Sequence, residues 1–545
     1  MLGLQRGSGP YAPNELLVAF APGTSASVRT AALSAIGART IETIHTHAMS
    51  ASGAGDLIRV AVGHGLDLER AAEIASKRPG VAYAEPNYLY TASYVTEDPY
   101  YTNGSLWGMY GDTAYSSQQN LKNNYGSQAN EAWAANYVGS MKVGVGVIDT
   151  GIDYKHPDLY RNVWLNQTEI PKAVWDVFKT PGTTDIDNDG LITFRDLNSK
   201  VGGQLVYGSL VSDANRNGFI DAGDLLSDAR WKDGIDGNGG STKNGYVDDF
   251  IGWNFVAGNN NPFDDNKHGT HVSGTIAAYS DPSSTAEIGV VGVNWNAQIA
   301  ALKFLDRNGS GSTANAVKAL DYFTDTKAAY AKLGLGSDDF DFAATNNSWG
   351  GGGYSQTLLD AITRGAKADI LFVAAAGNGG HNGRGDNNDV TANWPSNYNT
   401  DAESAFTFTQ GGATYDAVIA VAAIDNVGSK PTWSNYGVQT VDLGAPGVGI
   451  YSTVPGGGYA SLSGTSMATP HVTGAAALYS SWDPTATAAE IRAALLSAVE
   501  PTASMANRTV TGGRLDIGHL MPASPLSTTI SDSNSFAESS GGWVI

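Results

Sequence analysis

Five short apolar runs constrain the fold of this chain more than any other feature: VGVGVID (143–149), AQIAALKFL (297–305), DFAATNNS (341–348), DILFVAAAG (369–377) and AVIAVAAID (417–425). None alternates apolar with polar residues, as a strand with one wet face would, and segments of helical spacing lie between them. Strands buried on both faces read as unbroken Val, Ile and Ala runs, so the pattern predicts an α/β domain whose mostly parallel sheet lies between two helical layers. In such sheets the functional site forms at the carboxyl ends of the strands. The residues that close or follow the runs are therefore the ones to examine.

A different alternation precedes this domain. LLVAF (16–20), a helical run near 24–36, LIRVAV (57–62), LERAAEIAS (68–76) and VAYAEPNY (81–88) suggest a small α+β sandwich. A Tyr-, Thr- and Ser-rich stretch from about 89 to 105 separates the two. The expected organisation is a tail over 1–12, a small domain over 13–93, a large domain over 94–520 with an acidic insertion at 161–249, and a Ser-rich tail over 521–545 whose composition predicts disorder.

Composition excludes several functions. With 32 Lys and Arg against 53 Asp and Glu, the formal charge of -21 repels phosphate backbones and anionic membranes, so nucleic acid is not an expected partner. The chain has no cysteine, which removes disulfides and thiol chemistry. No apolar run approaches the ~18 residues that span a bilayer. The start, MLGLQRGSGPYAPNE, lacks a basic segment followed by an apolar core, so export would use another route or a different natural start.

Three motifs sit where the sheet argument places a site. Asp149 closes the run in VGVIDTGID, His268 opens a small-residue helix in NKHGTHVSGTIAA, and Ser466 does the same in LSGTSMATPHVTGAAAL. Singly they read as a turn carboxylate, a helix-start histidine and a helix cap. Together they supply acyl-transfer chemistry: a hydroxyl needs a base within hydrogen-bond reach, and the base needs a carboxylate to fix its tautomer and stabilise the imidazolium. The order Asp, His, Ser differs from the Ser, Asp, His of lipase-type hydrolases and the His, Asp, Ser of chymotrypsin-type proteases.

In this order, VGVIDTGID, HGTHVSGTIAA and GTSMATPHVTG resemble the three signature motifs of the subtilisin-like serine proteases, the subtilases, over roughly residues 131–520. The resemblance implies a subtilisin-like three-layer domain in which Asp149 orients, His268 is general base and then acid, and Ser466 attacks the scissile carbonyl. It implies that Asn378, in VAAAGNGG, donates to the oxyanion beside the Ser466 N–H. NNSWGGGG (346–353) resembles the family's substrate edge, so Ser348, Trp349 and Gly350 would pair with the substrate backbone, and Trp349–Gly350 with Ala375, Ala376 and Gly377 would wall a small apolar pocket. PNELLVAFAPG and GVAYAEPNY resemble the two ends of the family's propeptide domain, an inhibitor in cis that the enzyme cuts away, here near 88–98. Lys267 departs from the family pattern, which usually has glycine before the histidine.

The acidic insertion carries two loops of calcium type, DIDNDGLITFRD (185–196) and DANRNGFIDAGD (213–224). A hard cation takes many oxygens, and a glycine at the sixth position turns the chain so that a late carboxylate returns to the ion. The expected ligands are Asp185, Asp187, Asp189, Leu191, Thr193 and Asp196 in the first, and Asp213, Asn215, Asn217, Phe219, Asp221 and Asp224 in the second. Both end in Asp-Leu, as the duplicated loops of dockerin modules do. DGIDGNGGSTKNGYVDDF resembles an interrupted subtilase calcium loop and implies Asp236, Asn238, Asn244, Tyr246 through its carbonyl, Asp248 and Asp249. The sequence thus points to a secreted, monomeric, calcium-stabilised serine endopeptidase that acts on proteins or peptides and matures by self-processing. The alternative is an inactive calcium-dependent binding protein on the same scaffold, against which Asp149, His268, Asn378 and Ser466 all argue.

Overall fold

The apolar runs become strands buried on both faces. The computed structural model describes residues 11–44, 55–63, 67–88, 96, 98–113, 121–178, 185, 189–201, 203–237, 243–280, 289–333, 340–380, 382–401 and 415–522. The chain divides into two units, Met1–Ala92 with Ala523–Ile545, and Ser93–Pro522. Most of both tails expected from the sequence lies outside the described residues, as do Asp187, Asn238 and most of the 88–98 stretch.

In the first unit β1 (Tyr11–Phe20), α1 (Ala26–Ser34), β2 (Arg39–Ile44), β3 (Leu57–Ala61), α2 (Leu68–Ser76) and β4 (Val81–Tyr88) follow in order. The strands form an antiparallel sheet in the order β2-β3-β1-β4. Leu16, Val18 and Phe20 alternate inward along β1 and meet Ala71, Ala72 and Ala75 of α2. Alanines on that helix face allow close approach to the strands, and Asp67 caps its start by accepting the Arg70 N–H at 2.9 Å.

The second unit runs through α3 (Ala129–Ala134), β5 (Gly139–Asp149), β6 (Gly252–Asn254), α4 (His268–Ala277), β7 (Asn296–Lys303), α5 (Thr313–Lys332), β8 (Asp341–Asn347), α6 (Gln356–Lys367), β9 (Leu371–Ala375), β10 (Val418–Ile424), β11 (Leu443–Pro446), β12 (Ile450–Val454), β13 (Gly458–Leu462), α7 (Thr465–Trp482), α8 (Ala488–Ser497), β14 (Glu500–Pro501), β15 (Gly513–Arg514) and α9 (Ile517–Leu520). Among the described residues nine strands form one sheet in the order β14-β15-β11-β10-β9-β8-β5-β7-β6. Every neighbouring pair is parallel except β14 with β15. The chain moves to β7 on one side of β5 and then returns to β8 on the other, so the order reverses at β5. A crevice opens at such a reversal, beyond the carboxyl ends of the strands.

One face of the sheet packs on α4 and α7 through Val145, Val147, Val272, Ala468, Val472 and Ala476, the other on α5 and α6 through Phe323, Phe342, Leu358 and Ile362. Each fully buried side chain of this kind is worth about 1.5–3 kcal/mol. The acidic insertion carries a third core, with Phe194, Leu197, Tyr207, Val211, Ile220, Leu225 and Trp231 all buried. Its apolar residues find one another between the acidic loops and pack with Tyr154, Phe250 and Ile251.

Candidate active site

Three strand ends and two helix starts converge at the reversal: β5 ends in Asp149, β8 runs into Ser348, β9 into Gly377 and Asn378, α4 begins at His268 and α7 at Thr465. Close approach there needs bare backbone. A Cβ on Gly269 would lie 2.1 Å from the Gly151 carbonyl oxygen, and Gly151, at φ +104, has the Pro262 carbonyl oxygen 2.3 Å from the corresponding position. These two contacts let the first turn of α4 sit against the end of β5.

Asp149 is fully buried, and its two oxygens face His268 Nδ1 at 2.9 and 3.0 Å. Oδ1 also accepts the Thr150 N–H at 2.7 Å. A carboxylate only accepts, so Nδ1 carries the proton and Nε2 keeps its lone pair for an incoming group. Burial of the ring opposes protonation of His268 and is the largest single influence. The Asp149 charge and hydrogen bond, with Asp264 behind, outweigh it and hold the imidazole above its ordinary value of 6.5. Asp264 is itself held in place, accepting from Thr150 Oγ1 at 2.9 Å and from the Thr270 N–H at 2.9 Å.

Ser466 stands in the first turn of α7, an 18-residue helix whose aligned peptide dipoles favour negative charge at that end. Its hydroxyl donates to the Ser348 carbonyl at 3.0 Å, while Ser348 Oγ donates to the Ser466 carbonyl at 2.9 Å. Among the described residues no hydrogen bond joins Ser466 Oγ to His268. Asn378 is exposed, and its Oδ1 accepts from the Thr465 N–H at 2.9 Å and from Thr465 Oγ1 at 3.0 Å. Only an oxygen can accept from the Thr465 N–H, so the other end of the amide, Nδ2, is left as the donor.

The profile of the subtilase family matches residues 140–516, more than two thirds of the chain. The chain belongs to the subtilase family. Residues 4–87 match the N-terminal prodomain of fervidolysin. A thermostable alkaline protease from Halalkalibacterium halodurans is 38% identical over 44% of this chain and 54% of its own length. A thermophilic serine proteinase from Bacillus sp. strain AK1 is 28% identical over 87% of this chain and 79% of its own. The match therefore spans about half of the first relative and most of the second. The crystal structure of a cold adapted subtilisin-like serine proteinase aligns with a TM-score of 0.41 and 21% identity over 75% of this chain and 98% of that one.

In this subtilase, Trp349 leaves the Ser348 edge to pack edge-on against Phe304 at 4.8 Å between ring centres. Gly350 and Gly377 flank Asn393, which the sequence did not single out: its Nδ2 lies 3.2 Å from where a Cβ of Gly350 would stand and its Cγ 3.1 Å from that of Gly377. Ala375 is buried at the end of β9. The Ala376 side chain is turned into the core with Ala422, Ile424, Val441 and Met505, so Ala376 can line a pocket only through its backbone. Lys267 is exposed at the start of α4 and makes no side-chain cap.

The acidic loops fold back on their own first carboxylates. Asp185 accepts the Asp189 and Gly190 N–H groups at 3.1 and 3.0 Å, and Asp213 those of Asn217 and Gly218 at 3.0 and 2.9 Å. Asp189 accepts the Leu191 N–H at 2.7 Å, and Asn217 the Phe219 N–H at 3.2 Å. Asp196 accepts from the Thr193 N–H and hydroxyl. Asp224 crosses its loop to accept from Ala214 and Asn215, while Asp221 accepts from Asn215 and Asn217 side chains. Burial raises both Asp221 and Asp224 from their ordinary values.

Among the described residues, side-chain amides bridge the loop backbones. The Ile192 peptide pairs with the Gln167 amide at 3.1 and 2.9 Å, and the Ile220 peptide with the Asn198 amide at 2.7 and 2.8 Å, each side chain standing in for a strand. In the third loop Asp236 accepts the Asn244 and Gly245 N–H groups at 3.1 and 2.9 Å, Asn244 donates to Asp249 at 2.9 Å and accepts from the Tyr246 N–H, and Asp248 accepts from Gly234.

Glu169, far away in sequence, joins this third loop by accepting the Gly237 N–H at 2.8 Å. Burial and then the facing Asp249 push Glu169 up to about 9, and burial pushes Asp249 up to about 7. Two buried carboxylates set face to face need a proton or a cation between them, and the oxygen-only donor set fits a hard cation. Among the described residues the one set of three Asp, Glu or His donor atoms within 4.8 Å of each other is Glu500, Asp516 and His519, elsewhere in the domain.

Proposed function

We propose that this subtilase is a calcium-stabilised serine endopeptidase made as a self-processing precursor. The paired contact of Asp149 with His268 Nδ1, beside a serine at the start of α7, carries the reading. Ser466 Oγ attacks the scissile carbonyl carbon as its proton passes to His268 Nε2, and Asp149 stabilises the imidazolium. The negative carbonyl oxygen meets Asn378 Nδ2 and the Ser466 N–H, donors already held before the charge develops. His268 then returns the proton to the leaving amine, and water repeats the sequence on the acyl-enzyme. A peptide added as a strand along Ser348, Trp349 and Gly350 brings an N–H to the Ser348 carbonyl, releasing the Ser466 hydroxyl to turn toward His268.

Calcium is supported by the donor chemistry of the three loops. Asp185, Asp187, Asp189 and Asp196 would hold one ion, Asp213, Asn215, Asn217, Asp221 and Asp224 a second, and Asp236, Asn238, Asn244, Asp248 and Asp249 with Glu169 a third. Each ion would neutralise carboxylates that burial otherwise disfavours. Secretion belongs to the same reading, because weak calcium loops fill outside cells. No helix of the described residues is long and apolar enough to cross a membrane.

Intact mass of the full chain beside its Ser466→Ala variant, incubated with calcium, tests the reading. Loss of an N-terminal piece ending near residues 88–98 from the parent alone is expected. Identical trimming of both proteins, or of neither, overturns self-processing by Ser466.

A further inference from the structure

Away from the crevice, three side-chain oxygens gather over one glycine. A Cβ on Gly111 would lie 2.3 Å from Glu131 Oε1, 2.5 Å from Gln128 Oε1 and 2.6 Å from Asn130 Oδ1. Asn130 is fully buried and Gln128 nearly so. Asn130 Oδ1 and Glu131 Oε1 are both shut off from solvent and make no hydrogen bond. The Asn130 amide is held in this sense by its Nδ2, which donates to the Thr113 carbonyl at 3.3 Å. Gln128 Oε1 accepts the Asp112 N–H at 2.8 Å, which brings the exposed Asp112 carboxyl to the rim beside Glu131.

Glu131 meets the Asp112 carboxyl and the Thr113 N–H, yet its Oε1 and Asn130 Oδ1 stay without a donor, and a buried acceptor left unmade costs about 1–3 kcal/mol. Arg514 attracts Glu131 and Asp112 across the cluster but donates to neither. Asp516 and Glu500 add negative charge, and the buried Arg514 spends its Nη1 on the Gly126 and Leu515 carbonyls and stands 3.6 Å from Asp516. Burial first, and then Asp112, push Glu131 up to about 7.

We propose that Glu131, Asn130 and Gln128, with Asp112 at the open rim, form a further binding site for a calcium-sized divalent cation above Gly111. The donors are all oxygens, two of the groups are carboxylates, and a hard divalent ion takes such oxygens at about 2.3–2.6 Å. The exposed rim gives the ion a path in. Gly111 is part of the site because any side chain there fills the space. Occupancy ties the segment 111–113 to α3 and, through the second Glu131 oxygen close to Gly518, to α9.

Equilibrium dialysis against calcium, with the full chain in a Ser466→Ala background, tests the site. Glu131→Gln keeps the shape and removes the charge. Gly111→Ala adds only volume, since Gly111 is not among the glycines in the left-handed region. Each is expected to bind one calcium equivalent fewer than the parent and to show a smaller rise in thermal midpoint on adding calcium. Combining Glu131→Gln with Asp213→Asn is expected to remove a further equivalent, which separates this site from the insertion loops. If either variant fails to fold, Asp112→Asn decides, with one site weakened at least tenfold as the expected result. A folded Glu131→Gln or Asp112→Asn protein with the parent's stoichiometry and affinities overturns the proposal, and leaves a proton shared between Glu131 and Asp112 as the explanation of the cluster.

Discussion

At the scale of residues, the site depends on which end of each polar group is committed. Thr465 takes the Asn378 oxygen and so leaves its N–H groups as the donors that the proposed oxyanion site requires. Asn378→Ala is expected to lower kcat by on the order of 10²–10³, the cost known for this kind of donor in another subtilase, with KM little changed. Initial-rate kinetics on a peptide anilide would show it, and an unchanged kcat would remove Asn378 from the oxyanion site. Asp149 has a comparable hold on His268. Because the imidazole is held above 6.5 and acts only when neutral, kcat/KM should fall as pH drops through a midpoint above 6.5. Asp149→Asn removes the charge that raises it, so the residual activity of that variant should titrate at lower pH. A pH profile of both enzymes checks the sign.

At the scale of elements, small residues decide how closely α7 lies against its neighbours. A Cβ on Gly474 would stand 2.7 Å from Val293 Cβ, whereas one on Gly365 in α6 meets nothing closer than Thr324 Oγ1 at 3.6 Å. Helix propensity alone favours alanine over glycine by about 1 kcal/mol at both positions. Overpacking outweighs that at Gly474, so Gly474→Ala should destabilise by about 1–3 kcal/mol, while Gly365→Ala should stabilise by about 0.5–1 kcal/mol. Urea unfolding of the two variants in a Ser466→Ala background would show opposite shifts. Matching shifts would mean that the contact at Val293 relaxes.

For the whole molecule, charge is the main question. A chain of formal charge -21 buries Asp249, Asp224, Asp221 and most of Glu169, which favours a fold completed by cations. A site filled at a hundredfold excess over its Kd adds about 2.7 kcal/mol. With three loops filled, a chelator should lower the thermal midpoint by on the order of 5–10 °C for a unit of this size. Calorimetry of the Ser466→Ala protein with calcium or with chelator measures this, and coincident transitions would contradict calcium stabilisation.

The layered α/β fold and the parallel sheet were legible in five apolar runs, because burial on both faces leaves no polar alternation. Asp149, His268 and Ser466 were legible as short motifs because each sits where a strand ends or a helix begins, and their local sequence sets that placement. Glu169, Asn393 and the oxygens over Gly111 were not legible. Each lies beside its partners only after distant segments pack, and no local pattern records that. The rotamer of Ser466 belongs to the same class: the serine is a motif residue, but the Ser348 carbonyl 118 positions away decides where its hydroxyl points. Sequence by itself determined which elements form and which polar residues stand at their ends. Tertiary structure decided which acceptors and donors meet, because hydrogen-bond partners are chosen by distances of a few ångströms between parts of the chain that the sequence keeps far apart.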